Sequence, residues 1–245
     1  MKVIISGYGR MGKMVEQVCR ERGHSIVDIW DNASDRDKLS TVPDGVVVID
    51  FSLPESAVEN ILFCFQKQMP VITGTTGWYQ QLPEVKKMAE KFNGTLFYAP
   101  NFSLGVNVFF QLNRLFARMM TSLTGYRVSV EEIHHVHKLD APSGTAIRIA
   151  EDILVSHPEF DSWQNSPDVP ENVLPVISVR QGEVPGTHKV VYDSDSDTLS
   201  IKHEAKNRKG FALGAVLAAE FVQDKKGVFT MRDFLIDRGF PQEFL

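Results

Sequence analysis

The chain has 245 residues and a mass of 27.6 kDa, with 43% hydrophobic and 23% charged residues and a formal net charge of −5. That balance suits a globular protein with one large core or two smaller ones. No apolar run approaches the ~20 residues that cross a bilayer, and no long basic tract offers the clustered Lys and Arg that general nucleic-acid binding needs.

The segment from Met1 to Gly7 is too short in apolar residues for a signal peptide, so the cytoplasm is the expected compartment. Cys19 and Cys64 fall in helix-like stretches without CxxC spacing. Neither a disulfide framework nor a zinc knuckle is expected from them, and both read as buried structural thiols.

In chain order, Lys2 to Ser6 reads as a short buried strand, followed by Gly7-x-Gly9-x-x-Gly12 and a helix-like stretch from Lys13 to Arg22. Ser25 to Trp30 gives a second strand, and Val46 to Phe51 a third whose nearly continuous apolar run suits a parallel strand covered on both faces. Ser52-Leu53-Pro54-Glu55 reads as a capping box with Pro in the first turn, opening a helix to about Gln66. Met69 to Thr73 is a fourth strand with Gly74-Thr75-Thr76-Gly77 as its exit loop, a helix runs from Gln80 to Phe92, and Thr95 to Ala99 is a fifth strand. Strand–helix alternation of this kind predicts an open parallel α/β sheet.

The pattern changes after Asn101. A long amphipathic helix is predicted from Val106 to Met120, then strands over Arg127–Glu131, Val176–Arg180, His188–Tyr192 and Thr198–His203. Several alternate apolar with polar residues, as strands with one wet face do. A helix opens near Ser143, the four prolines between Pro158 and Pro175 predict an irregular loop, and helices close the chain over Gly214–Val222 and Met231–Arg238.

GxGxxG between a strand and a helix is the context of the dinucleotide fingerprint. The first Gly permits the turn, the second lets backbone approach a pyrophosphate, and the third lets helix pack on strand. Gly7, Tyr8, Gly9, Arg10, Met11 and Gly12 are therefore candidate cofactor residues, with the helix N-terminus offering N–H groups to the phosphates. Asp31 lies 19 positions after Gly12, at the end of the second strand. A carboxylate there hydrogen-bonds a ribose 2′-OH and repels a 2′-phosphate, which favours NADH over NADPH, with Arg36 and Lys38 close enough in sequence to soften the preference. Gly74, Thr75 and Thr76, and Ala99, Pro100, Asn101 and Phe102, follow the fourth and fifth strands, where ligand crevices form. Each loop by itself is equally compatible with a plain polar turn.

Three of the seven histidines fall within the stretch Glu131 to Ala146, which reads EEIHHVHKLDAPSGTA. A metal reading would place His135 and His137 on one face of a strand, with Asp140 or Glu132 as a further ligand. The adjacent Lys138 and the nucleotide fingerprint weigh against it, and no metal is expected. A proton-transfer reading fits better: histidine as the donor, lysine as fixed positive charge, and a helix N-terminus capped by Ser143 or Asp140, with the N–H groups of Gly144 and Thr145 as an anion nest. The structural alternative is a capped helix after a polar strand.

This stretch resembles the signature of the dihydrodipicolinate reductase family (4-hydroxy-tetrahydrodipicolinate reductases). GYGRMG, DFSLPES, GTTGW, APNFSLGVN, VRQGEVPGTH and RKGFALGAV occur in that family's order across nearly the whole chain. The resemblance implies an α/β chain of two domains. Residues 1–103 and 208–245 would form a Rossmann-type dinucleotide-binding domain, and residues 104–207 an α+β substrate-binding and tetramerisation domain with a mainly antiparallel or mixed sheet. It implies reduction of 4-hydroxy-tetrahydrodipicolinate, a small dicarboxylate, by NADH or NADPH in the diaminopimelate route to lysine, in a homotetramer. His134 is similar to the family's proton donor and Lys138 to its catalytic lysine. His135, Ser143, Gly144 and Thr145 match positions that bind the substrate carboxylates. Asn32 stands where many members have Arg, which tilts the expectation further toward NADH. An oxidoreductase acting on another small anion, or a nucleotide-sensing module, remains the alternative on the residues alone.

Overall fold

The computed structural model describes residues 1–242. In chain order the elements are β1 (Lys2–Ser6), α1 (Arg10–Glu21), β2 (Ser25–Trp30), α2 (Ala33–Asp37), β3 (Val46–Asp50), α3 (Pro54–Gln66), β4 (Val71–Thr73), α4 (Leu82–Phe92) and β5 (Thr95–Tyr98). Then come α5 (Leu104–Met120), β6 (Arg127–His134), α6 (Gly144–Leu154), β7 (Ser162–Gln164), β8 (Val173–Arg180), β9 (Thr187–Asp193) and β10 (Thr198–Glu204). The chain continues through α7 (Lys209–Val222), β11 (Gly227–Phe229) and α8 (Met231–Asp237). Two compact units result: residues 1–104 together with 208–242, and residues 105–207.

The first unit is a six-stranded sheet in the order β11-β5-β4-β3-β1-β2, with every pair parallel. Its strands are apolar on both faces because both faces are covered. Val3, Ile5, Val47 and Ile49 pack with α1, α7 and α8. Ile4, Val46 and Val48 pack with α3 and α4 on the other side. The chain after the second unit returns to this one, where the small residues of α7, Ala212, Ala215, Ala218 and Ala219, are fully buried. A Cβ at Gly214 would lie 1.8 Å from the Phe102 carbonyl oxygen, so that helix approaches the loop after β5 as closely as backbone allows.

The second unit is a five-stranded mixed sheet in the order β10-β9-β6-β8-β7. The pairs β10/β9 and β9/β6 are antiparallel, and β6/β8 and β8/β7 are parallel. One face packs on α5 and α6 around Phe109, Val128, Val130, Ile149, Val176, Val190 and Tyr192.

Several elements differ from the sequence reading. Helix α1 starts at Arg10, directly from the glycine turn rather than at Lys13. The Ser52 capping box does not form: Leu53 is the N-cap with no side-chain bond, and Ser52 Oγ accepts from Asn60 Nδ2 at 3.2 Å. The proline-rich stretch contains a short edge strand, β7, and the start of β8, whose Pro175 pairs with Gln164 of β7. The short elements α2 and β11 carry too few periodic residues to be seen in the sequence.

Gly214→Ala should lower unfolding free energy by ~1–3 kcal/mol, the usual cost of overpacking. Gly210→Ala, in the same helix but with nothing near its Cβ position, should leave it unchanged or raise it by up to about 1 kcal/mol. Urea titrations of both variants distinguish close backbone approach from helix propensity.

Candidate active site

Alternation along β6 puts Val128, Val130, Glu132 and His134 on one face, all buried. The first two enter the core, and the last two lie at the strand's end, where polar groups take over. Sheet register then assembles a row: Glu132 faces His188 on β9 and Ser178 on β8, and His188 faces His203 on β10.

Glu132 is fully buried. Its Oε1 accepts from Ser178 Oγ at 2.8 Å, from the Ser143 N–H at 3.0 Å and from Arg180 Nη2 at 3.2 Å. Its Oε2 lies 3.2 Å from His134 Nδ1 and 3.8 Å from His188 Nε2, but neither contact is aligned as a hydrogen bond. Burial alone would raise the Glu132 pKa; His134, Ser143 and Ser178 outweigh it and hold the carboxyl well below the usual range. His188 is pushed down to about 3, by burial first and then by His134. It is therefore neutral. Its Nδ1 has no partner and its Nε2 lies 3.3 Å from Ser143 Oγ.

Ser143 is the N-cap of α6, its Oγ accepting from the Ala146 N–H at 3.2 Å, while the Ile147 N–H returns to the Ser143 carbonyl. The N–H groups of Gly144 and Thr145 are left without helix acceptors, and the space at the Gly144 Cβ position is open. Asp140 does not cap this helix. Both its oxygens take Lys138 Nζ at 2.8 Å. Arg180 fastens the same turn through the Asp140 carbonyl at 2.6 Å and the Lys138 carbonyl at 3.4 Å.

The strand ends at His134, so His135 and His137 lie in a turn rather than on one strand face. His137 is exposed and pairs with Glu183 at 3.2 Å. A different trio, Glu132, His134 and His188, presents one donor atom each within 4.8 Å of one another, a metal-compatible spacing. Arg180 on the same carboxylate opposes a further cation there.

In the first unit, Gly7 has φ +82, and a Cβ on it would meet the Phe51 carbonyl oxygen at 2.3 Å. A Cβ on Gly12 would meet the Gly7 carbonyl oxygen at 2.1 Å, whereas Gly9 faces open space. Gly9 is the N-cap of α1 without a side-chain bond, leaving the N–H groups of Arg10, Met11 and Gly12 without helix acceptors. These features fit a pyrophosphate. Asp31 sits beside the turn, its Oδ1 accepting the Tyr8 N–H at 3.2 Å.

Arg36 does not soften this acidic end. It is buried, bonded to Asp37, Glu59 and Asn60, and stacked over Phe63. Lys38 pairs with Asp35 at 3.1 Å, and Asn32 is spent as the N-cap of α2.

Asp50, fully buried at the end of β3, accepts from Ser6 Oγ and Asn60 Nδ2 on one oxygen and from Thr73 Oγ1 and Thr75 Oγ1 on the other. It fixes the start of the Gly74–Thr76 loop, whose Gly74 leaves no room for a Cβ beside the Phe51 ring. Thr76 is exposed. Ala99 anchors the next loop through its N–H to the Thr73 carbonyl, followed by exposed Pro100, by Asn101 accepting the Ser103 N–H, and by buried Phe102.

Sequence reasoning assigned no role to Ser178, Arg180, Gly186, His188 or Asp50, and took Glu132 only as a possible ligand. The available signal was the strand period: Glu132 follows Val128 and Val130, and His188 precedes Val190 and Tyr192, all on core-facing positions.

Two family models match the chain: dihydrodipicolinate reductase, N-terminus, over residues 1–102, and dihydrodipicolinate reductase, C-terminus, over residues 105–235. A 4-hydroxy-tetrahydrodipicolinate reductase of Christiangramia forsetii is 46% identical over 97% of this chain and 98% of its own. One from Archaeoglobus fulgidus is 33% identical over 96% and 100%. The dipicolinate-bound dihydrodipicolinate reductase of Paenisporosarcina sp. TG-14 shares the fold, with a TM-score of 0.70 at 24% identity, over 94% of this chain and 97% of that one.

Both buried groups make stability rise with pH. The folded chain binds fewer protons than the unfolded chain wherever His188 or Glu132 is held below its ordinary pKa. The His188 contribution is complete above pH 6.5 and is lost as pH falls toward about 3. The Glu132 contribution begins to be lost below its ordinary value of 4.5. The melting temperature should thus fall from pH 6.5 downward and more steeply below 4.5. His188→Asn should flatten the upper part of this dependence in calorimetric scans; an unchanged slope would contradict a neutral buried ring.

Proposed function

Because the chain belongs to the dihydrodipicolinate reductase family, we propose that it reduces 4-hydroxy-tetrahydrodipicolinate to tetrahydrodipicolinate with a nicotinamide dinucleotide, in diaminopimelate and lysine biosynthesis. The observation that carries this reading is the combination in one unit of a buried histidine on a carboxylate, a lysine, and a helix N-terminus with free N–H groups. A hydride acceptor of this class is an anion that also needs a proton, and these groups meet both needs.

The residue roles follow from the chemistry. His134 donates the proton that completes reduction, and the net change loses one water from carbon 4 of the ring. The N–H groups of Gly144 and Thr145, with Ser143 and His135, hold a substrate carboxylate, and Lys138 exchanges Asp140 for that carboxylate. The bound nicotinamide supplies the hydride. Residues Gly7 to Gly12 hold its pyrophosphate, Asp31 its adenosine ribose, and the Gly74–Thr76 and Ala99–Phe102 loops its other end.

Asp31 at the turn, with Arg36 turned inward and Lys38 paired with Asp35, supports NADH as the preferred cofactor. No described helix is long and apolar enough to cross a membrane, and we place the enzyme in the cytoplasm with its nicotinamide pool. The sheet face of the second unit away from α5 and α6 carries Ile133, Ile177, Val179 and Val191, none of them buried. An apolar sheet face left uncovered in one chain supports association through the sheets into a homotetramer.

With pyruvate and aspartate semialdehyde condensed by the preceding synthase, absorbance at 340 nm should show synthase-dependent oxidation of NADH. His134→Ala and Lys138→Ala should each lower kcat by about 100-fold or more; near-normal turnover in both would refute these roles. NADH should give the higher kcat/KM, and Asp31→Ser should narrow the gap by raising use of NADPH. A clear preference of the unaltered enzyme for NADPH would contradict the part given to Asp31.

A further inference from the structure

We infer that Glu132 is a positioning residue for the reduction, one carboxylate oxygen fixing the substrate-binding turn and the other orienting His134 and balancing its charge. The inference rests on His134 being the proton donor.

The two oxygens of Glu132 are treated differently. Oε1 is saturated by the Ser178 hydroxyl, the Ser143 N–H and Arg180, and two of those donors belong to or hold the turn that leads into α6. Oε2 is equally buried and has no hydrogen bond. A buried carboxylate oxygen without a donor is costly, and more so beside a partner that can supply one. The nearest nitrogens are His134 Nδ1 at 3.2 Å and His188 Nε2 at 3.8 Å. His188 Nε2 is turned to Ser143 Oγ. His134 Nδ1 has no other partner. A small ring rotation gives Oε2 a charge-assisted bond and fixes a proton on Nδ1.

The other nitrogen of His134 is then the one that delivers the proton. A Cβ at Gly186 would lie 3.0 Å from Nε2, so the glycine there gives that atom clearance. The groups facing His134 are Glu132 on its own strand, His188 on β9 and Arg180 on β8 through the shared carboxylate, while Lys138 in the following turn acts on His188. His188 is neutral and Lys138 and Arg180 are cations. Glu132 is the one carboxylate paired with His134 among the described residues, so the only negative charge against that ring is the one at Oε2.

Glu132→Gln keeps the shape and leaves an amide oxygen for Ser143 and Arg180 while removing the charge. It should lower kcat at least about tenfold, as wrong-tautomer variants of histidine–carboxylate pairs do, and leave the calorimetric affinity for dipicolinate unchanged. The alkaline limb of the kcat–pH profile should move down by about one pH unit. If His134→Ala is impaired but Glu132→Gln keeps normal kcat and pH profile, the positioning role is wrong and the donor stands. If Glu132→Gln weakens dipicolinate binding in step with kcat and leaves the profile in place, Glu132 is only structural and the inference fails. Normal turnover in His134→Ala overturns the donor assignment instead. Should Glu132→Gln not fold, nitrogen NMR of the unaltered protein decides: neutral His134, assigned by its loss in His134→Gln, should carry its proton on Nδ1, and a proton on Nε2 overturns the inference.

Discussion

A carboxylate removed from water must be given donors from several directions, and both units are organised around meeting that demand. Asp50 ends β3 in a register row with Ser6 and Thr73 on the neighbouring parallel strands. Glu132 stands near the end of β6 in a row with Ser178 and His188. The sheet supplies donors from both neighbouring strands to Asp50 and from β8 to Glu132, and a loop supplies another to each. The strands cannot slip by a residue without burying the carboxylate unsatisfied, so the constraint that stabilises the register also fixes the loops.

That coupling explains why the polar machinery is so compact. Thr75 is tied to Asp50, so the Gly74–Thr76 loop leaves the sheet in one conformation. Ser143 is tied to Glu132 by its N–H while its hydroxyl caps α6, so the helix N-terminus is set by the same carboxylate that faces His134. Arg180 adds a cation at the carboxylate and reaches on to the Lys138 and Asp140 carbonyls. His134 and the N-terminus of α6 thus share one support. The pairing of Lys138 with Asp140 holds the lysine within that same turn.

Much of this was legible in the residues. The glycine fingerprint, the alternation of strands and helices, the Ser143 cap and the histidine–lysine stretch are local patterns, and local patterns survive reading in one dimension. What was misread depended on partners distant in sequence. Arg36 looks available beside Asp31 until Glu59 and Asn60, more than twenty residues on, turn it inward. Ser52 looks like a cap until Asn60 occupies its hydroxyl. His135 and His137 look like strand neighbours because nothing local marks the end of β6 at His134.

The sequence by itself determined the fold class, the dinucleotide fingerprint, the capped helix and the family, because each rests on residue spacing within a strand, a turn or a helix. Only the tertiary structure decided how the carboxylates are used. Glu132 meets Ser178 and His188 through strand pairing across 46 and 56 residues of chain, read directly from their positions. Whether a buried acid is a ligand, a proton acceptor or a support depends on which donors surround it, and that is set by sheet register rather than by any neighbour in the chain.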